Sequence, residues 1–98
     1  MEKDKHYVYI LECNDGSYYT GYTNNLEKRI EMHQTGKGAK YTRGRTPVQL
    51  LFSEVYETKT EAMQVEYRIK QLNRKQKEEY IHQDKKEGKL NEKAAKKL

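Results

Sequence analysis

Cysteine is almost missing from this chain, and that absence narrows the possibilities first. Cys13 is the single cysteine among 98 residues, so no internal disulfide forms and no cysteine cluster holds a metal. Such a chain suits a reducing compartment, and a cytoplasmic location is expected. Apolar residues are also scarce, at 34% against about 45–50% in ordinary globular proteins. They suffice for one thin core and leave nothing for a second. No apolar run approaches the roughly 20 residues of a membrane span. The charged start Met1-Glu2-Lys3-Asp4-Lys5 leads into no signal-peptide core, so no membrane partner is expected. His6, His33 and His82 stand apart, without zinc-like spacing to one another or to cysteine. Gly36-Lys37-Gly38 lacks the spacing of a phosphate-binding P-loop. No internal repeat is present.

What the chain does have is tyrosine and charge. Nine tyrosines offset part of the apolar deficit, because each can bury its ring while keeping its hydroxyl near water. The net charge of +5 is unevenly spread: residues 1–73 hold eleven basic and ten acidic side chains, residues 74–98 nine and five. Within the balanced body, the stretch from Lys37 to Arg45 carries Lys37, Lys40, Arg43 and Arg45 with no acid. Clustered positive charge beside aromatic rings suits a polyanion, because neutralising phosphates releases condensed counterions. These four side chains are the candidate nucleic-acid contacts, although a solvated loop has the same composition.

Periodicity supplies the elements. The aromatic and β-branched stretch from His6 to Cys13 reads as a strand, Asn14-Asp15-Gly16 as a turn, and Ser17 to Thr23 as a second strand. A three-residue loop with Gly16 in the left-handed region sets Cys13 opposite Ser17, Leu11 opposite Tyr19 and Tyr9 opposite Gly21. Tyr7, Tyr9, Leu11, Tyr19 and Gly21 then share one face, with open space at Gly21 in front of Tyr9. A helix follows from Leu26 to Gln34, opened by the capping pattern Asn24-Asn-Leu-Glu27. After the basic loop and Pro47, Val48 to Tyr56 reads as a third strand. Thr58-Lys-Thr-Glu61 is a capping box for a second helix whose Ala62, Val65, Ile69 and Leu72 face the core. A charged third helix begins near Arg74. The expected fold is α+β: a small three-stranded, mainly antiparallel sheet flanked by helices in the order β-β-α-β-α-α, with a domain over 1–84 and a basic, frayed or disordered tail over 85–98.

One constellation carries chemistry. Tyr7-Val8-Tyr9 lies on the first strand, Tyr19-Thr20-Gly21 on the second, Arg29 and His33 one turn apart on the first helix, and Glu66 on the second helix. Taken singly, the tyrosines are sheet packing, Arg29 and Glu66 are solvated helix charges, His33 is a half-buried helix residue and Cys13 is a small core residue. Taken together, in this order and spacing, they resemble the GIY-YIG nuclease superfamily over residues 6–82. That superfamily includes part of a bacterial excision-repair nuclease, certain homing endonucleases and junction-cutting nucleases. The likeness is strongest to small stand-alone bacterial members. Tyr7 stands where the first name motif has glycine and Thr20 where the second has isoleucine; neither change removes a catalytic side chain. The family often adds an asparagine after the glutamate, and Asn73 and Asn91 are the asparagines present there.

The resemblance implies an endonuclease that hydrolyses phosphodiester bonds in nucleic acid, with DNA as the expected polymer and one Mg²⁺ or Mn²⁺ ion; the oligomeric state is left open, with a monomer favoured. It makes Tyr19 the general base, Tyr9 its hydrogen-bonding neighbour, Arg29 the phosphate clamp and Glu66 the metal ligand. The residue types suit phosphodiester chemistry, since a guanidinium grips phosphate oxygens as a planar fork and a carboxylate is the hard donor Mg²⁺ prefers. A free tyrosine has a pKa of about 10, so roughly one in a thousand is ionised at neutral pH. His33 is therefore the rival base, since imidazole titrates near neutrality unaided. The competing functions are a non-catalytic nucleic-acid-binding module and an accessory protein on the same fold.

Overall fold

Strand β1 (His6–Glu12) is the centre of the molecule because its side chains are apolar in both directions. Val8, Tyr9, Ile10 and Leu11 all have no exposed surface. In the computed structural model, which describes residues 5–90 and side chains as far as residue 83, β1 is flanked by β2 (Tyr18–Thr23) and β3 (Gln49–Tyr56). The sheet order is β2-β1-β3 and both pairings are antiparallel. Helices α1 (Leu26–Gln34), α2 (Lys59–Lys70) and α3 (Arg74–Leu90) complete the order β-β-α-β-α-α, so the expected fold class stands.

The hairpin register is the expected one. Tyr9 pairs with Gly21 and Leu11 with Tyr19, while Gly16 takes a positive φ of 85° and Cys13 N–H donates to the Ser17 carbonyl at 2.8 Å. The strand ends are where expectation and structure differ by one residue. Ser17 stays in the turn because its amide and hydroxyl both donate to the Asp15 carboxylate, at 3.0 and 2.6 Å. Val48 stays outside β3 because the Gln34 side-chain amide takes over both its backbone groups, accepting from its N–H at 2.9 Å and donating to its carbonyl at 2.7 Å. The cap of α1 is Asn25, one residue after Asn24; its side chain accepts from the Lys28 amide at 3.2 Å.

Alternation along β1 divides the core in two. Val8 and Ile10 join Phe52 of β3, Ala62 and Ile69 of α2 and Ile81 of α3 in one aliphatic cluster. On the other face Tyr9 and Leu11 join Cys13 and Val48, with Leu26 and Ile30 of α1 packed against them. An extra residue in β3, Leu51, bulges between the partners of Ile10 and Leu11 and packs into the aliphatic cluster. The Thr58 hydroxyl caps α2 by accepting from the Glu61 amide at 3.1 Å. Asn73 and Gln76 form a reciprocal capping box for α3, at 2.8 and 2.9 Å. That helix runs through the domain boundary expected at 84 as far as Leu90; the rest of the expected tail, residues 91–98, lies outside the described residues.

Candidate active site

Gly21 opens the site. A Cβ built there would lie 2.5 Å from the Tyr9 hydroxyl oxygen and 3.0 Å from a ring carbon of Tyr19. Tyr9 therefore lies against the bare backbone of β2, an edge strand, with its hydroxyl beside Gly21. Any side chain at position 21 would displace it.

The Tyr9 hydroxyl links the candidate residues. His33 Nε2 is 2.9 Å away, and the charges of Arg29, Tyr19 and Glu66 act on it through space. Tyr19 packs its ring against the same two residues, with centroids 6.3 Å from Tyr9 and 5.3 Å from His33. Burial dominates the electrostatics at Tyr9. It pushes the phenol up to about 12 against the opposing pull of Arg29, so Tyr9 keeps its proton at neutral pH.

His33 sits deeper than a half-buried helix residue. It has no exposed surface, and its Nδ1 is 2.8 Å from the Thr42 hydroxyl while Nε2 faces Tyr9. Burial, aided by the Arg29 charge, lowers its pKa to about 4. The ring is neutral at pH 7, and both nitrogens already have partners.

Glu66 is also more enclosed than a solvated helix charge, at 9% exposure. Its carboxylate pairs with Lys70 one turn on, at 3.2 Å, and Lys70 is itself half exposed. Among the described residues no three of His, Cys, Asp or Glu gather round one point. Asn73 is the cap of α3 and commits its side chain to Gln76; Asn91 lies outside the described residues.

The basic loop divides by role. Lys37, Lys40 and Arg43 are exposed. Arg45 is not a loose cation: its Nε donates to Asp15 at 3.0 Å, its Nη1 donates to the Tyr41 carbonyl at 2.6 Å, and its guanidinium covers the Tyr41 ring at 4.2 Å. Tyr41 in turn stacks on Tyr19, with centroids 5.9 Å apart. Asp15, in the β1–β2 turn, is drawn down to about 2 by its bonds from Ser17 and then by Arg45. Thus the loop is strapped to the hairpin turn, and its aromatic residue props the Tyr19 ring. Thr42, Tyr41 and Gly38 escaped the reading of the sequence. A Cβ at Gly38 would collide with the His33 ring, but nothing local to a lysine- and glycine-rich loop signals that closeness. Cys13 is 4% exposed and burial pushes its thiol up, as befits a core residue.

A three-stranded sheet that gathers two tyrosines, an arginine, a histidine and a glutamate across an edge strand defines a GIY-YIG-type domain. Residues 5–91 match the GIY-YIG catalytic domain family, and the chain belongs to that family. A UPF0213 protein of Bacillus cereus is 67% identical over 81 residues, covering 83% of this chain and 84% of the relative. A UPF0213 protein of Bacillus licheniformis is 58% identical over 88 residues, covering 90% and 91%. The solution structure of a UPF0213 protein from Bacillus halodurans is similar at 54% identity and a TM-score of 0.55, covering 80% of this chain and 83% of the other. The family points to nuclease chemistry on nucleic acid. Among the described residues no helix is long and apolar enough to cross a membrane.

Proposed function

We propose that this protein is a metal-dependent endonuclease that hydrolyses phosphodiester bonds in DNA. The observation that carries the reading is the Tyr9 hydroxyl, bonded to His33 Nε2 at 2.9 Å beside the Tyr19 ring and within the electrostatic reach of Arg29 and Glu66. Tyr19 is the general base: it is only half-buried, whereas His33 has no surface and no unengaged nitrogen. Arg29 binds the scissile phosphate as a planar donor fork and neutralises the charge that builds on it. Tyr9, protonated at neutral pH, holds Arg29 in place.

A single enclosed carboxylate, Glu66, fits Mg²⁺ or Mn²⁺ better than zinc, since Mg²⁺ is typically bound by one or two carboxylates while keeping several waters. When bound, such an ion supplies Lewis acidity toward the phosphate and its leaving oxygen. Glu66 would hold it, with Lys70 giving way. Lys37, Lys40 and Arg43 contact backbone phosphates on either side of the cut, and Arg45 keeps their loop docked. The protein acts as a cytoplasmic monomer on this reading.

The test is incubation with labelled single-stranded, nicked and branched DNA, and with RNA, in Mg²⁺ or Mn²⁺ and in EDTA. Cleavage of DNA with the ions and none in EDTA is expected. Binding without cleavage of any substrate would leave a nucleic-acid-binding module instead.

A further inference from the structure

A hydrogen-bonded chain runs from the edge of the site into the basic loop, and its loop end fixes its direction. Arg29 stands beyond the other end, its charge acting on the Tyr9 phenol; a guanidinium only donates. Tyr9 Oη meets His33 Nε2 at 2.9 Å, and His33 Nδ1 meets Thr42 Oγ1 at 2.8 Å. Thr42 Oγ1 lies 3.0 Å from the carbonyl of Ala39, which only accepts. The three groups between can each donate once and accept once. With an obligate acceptor at the loop end, one arrangement leaves every contact of the chain with a proton. Tyr9 donates to His33 Nε2, His33 Nδ1–H to Thr42, and Thr42 to Ala39, which leaves the Tyr9 oxygen free to accept from Arg29. The reverse tautomer would leave two oxygens, Thr42 Oγ1 and Ala39 O, facing each other without a proton between them.

We propose that Thr42 is a positioning residue that locks His33 as the Nδ1–H tautomer, so that Tyr9 donates inward and offers Arg29 an acceptor. If His33 carried its proton on Nε2, it would donate to Tyr9, and the Tyr9 proton would swing toward the guanidinium and push it off its place. Burial supports the lock: Tyr9, His33 and Thr42 have no exposed surface, so water cannot replace a missing partner. The close packing of Gly38 on the His33 ring holds the loop shut over the chain. The loop that carries the phosphate-binding cations thus also sets the polarity of the site's innermost hydroxyl. For its meaning this inference rests on the nuclease reading; for its test it needs only the free protein.

The experiment is long-range ¹H–¹⁵N correlation of the histidine rings in the full ¹⁵N-labelled chain at pH 7, with His33 assigned by a His33→Gln variant. The expected result is the Nδ1–H tautomer at His33, its replacement by Nε2–H or a mixture in Thr42→Val, and its return in Thr42→Ser. Cleavage should follow: kcat down by up to about 10²-fold in Thr42→Val, as misplacing a clamp can cost, KM little changed, and Thr42→Ser near wild type. An Nε2–H tautomer in the wild type overturns the proposal outright, as does an unaltered Nδ1–H tautomer in Thr42→Val. If the wild-type chain cuts nothing, the nuclease reading fails, while the tautomer spectra still decide this inference.

Discussion

The two faces of β1 are built on opposite principles. Toward α2 and α3, Val8 and Ile10 meet Phe52, Ala62, Ile69 and Ile81 in an aliphatic cluster. Toward α1, Tyr9 meets His33 and, through it, Thr42, in a polar chain equally cut off from water. The first face draws its stability from removing apolar area from water. The second gains little net energy from its hydrogen bonds, but each broken one leaves a buried group without a partner. One strand therefore carries only apolar packing on its even positions and, on its odd ones, a polar chain at Tyr9 beside the apolar Leu11, and this division is open to test.

The sharpest test is a pair of substitutions on adjacent residues. Ile10→Ala should cost about 2–5 kcal/mol, the usual effect of a large cavity in a core, yet leave cleavage per folded molecule unchanged. Tyr9→Phe keeps the ring but strands His33 Nε2, and should cost less, about 1–3 kcal/mol, while cleavage falls sharply. Urea unfolding and single-turnover cleavage on both variants make the comparison. Equal losses of stability with equal losses of activity would mean that the two faces do not differ in this way.

Acid should weaken the polar face selectively. His33 ordinarily titrates near 6.5 and is held at about 4 in the fold. Between those values the unfolded chain takes up a proton that the folded chain refuses. Its contribution to stability is therefore full above about 6.5 and declines as the pH falls toward 4. The Asp15 contribution, with a carboxyl drawn down to about 2 from 3.8, is lost only at lower pH. Urea midpoints at pH 7 and pH 5 should differ in the wild type and converge in His33→Gln. Cleavage, in turn, should show no histidine limb near pH 6–7.

A smaller effect separates the loop's two roles. Neutralising Lys37, Lys40 and Arg43 together should reduce the slope of log affinity against log salt by up to about 2.7 on B-DNA, at about 0.9 per phosphate contact. Arg45→Ala alone should change that slope by less, and instead loosen Tyr41, detectable as faster amide exchange across residues 39–45. A slope as sensitive to Arg45 as to the other three would put Arg45 on phosphate rather than on Asp15.

The sequence made the fold legible where local rules agree with one another. The hairpin register follows from Gly16 and a three-residue loop, and the helix start at Thr58 follows from capping chemistry. The strand ends at Ser17 and Val48 were illegible because side chains outside the strands, Asp15 and above all Gln34, satisfy the backbone there. In the site, the residues of the family pattern could be named in advance, as could the gap at Gly21. The depth of His33 and the whole part played by Thr42 could not. Both depend on a loop folding back over α1, and a sequence records that loop only as charge and glycine. Arg45 read as one cation among four for the same reason: its partner Asp15 is thirty residues away.

The most direct test of the central claim is single-turnover cleavage by Tyr19→Phe, alongside its affinity for the same DNA. The substitution keeps the ring stacked on Tyr41 and removes only the hydroxyl. Cleavage should fall by about 10²–10⁴-fold, the usual contribution of a positioned base, with affinity unchanged. Cleavage at the wild-type rate would contradict the account, because the site would then activate water without the hydroxyl that serves as its base.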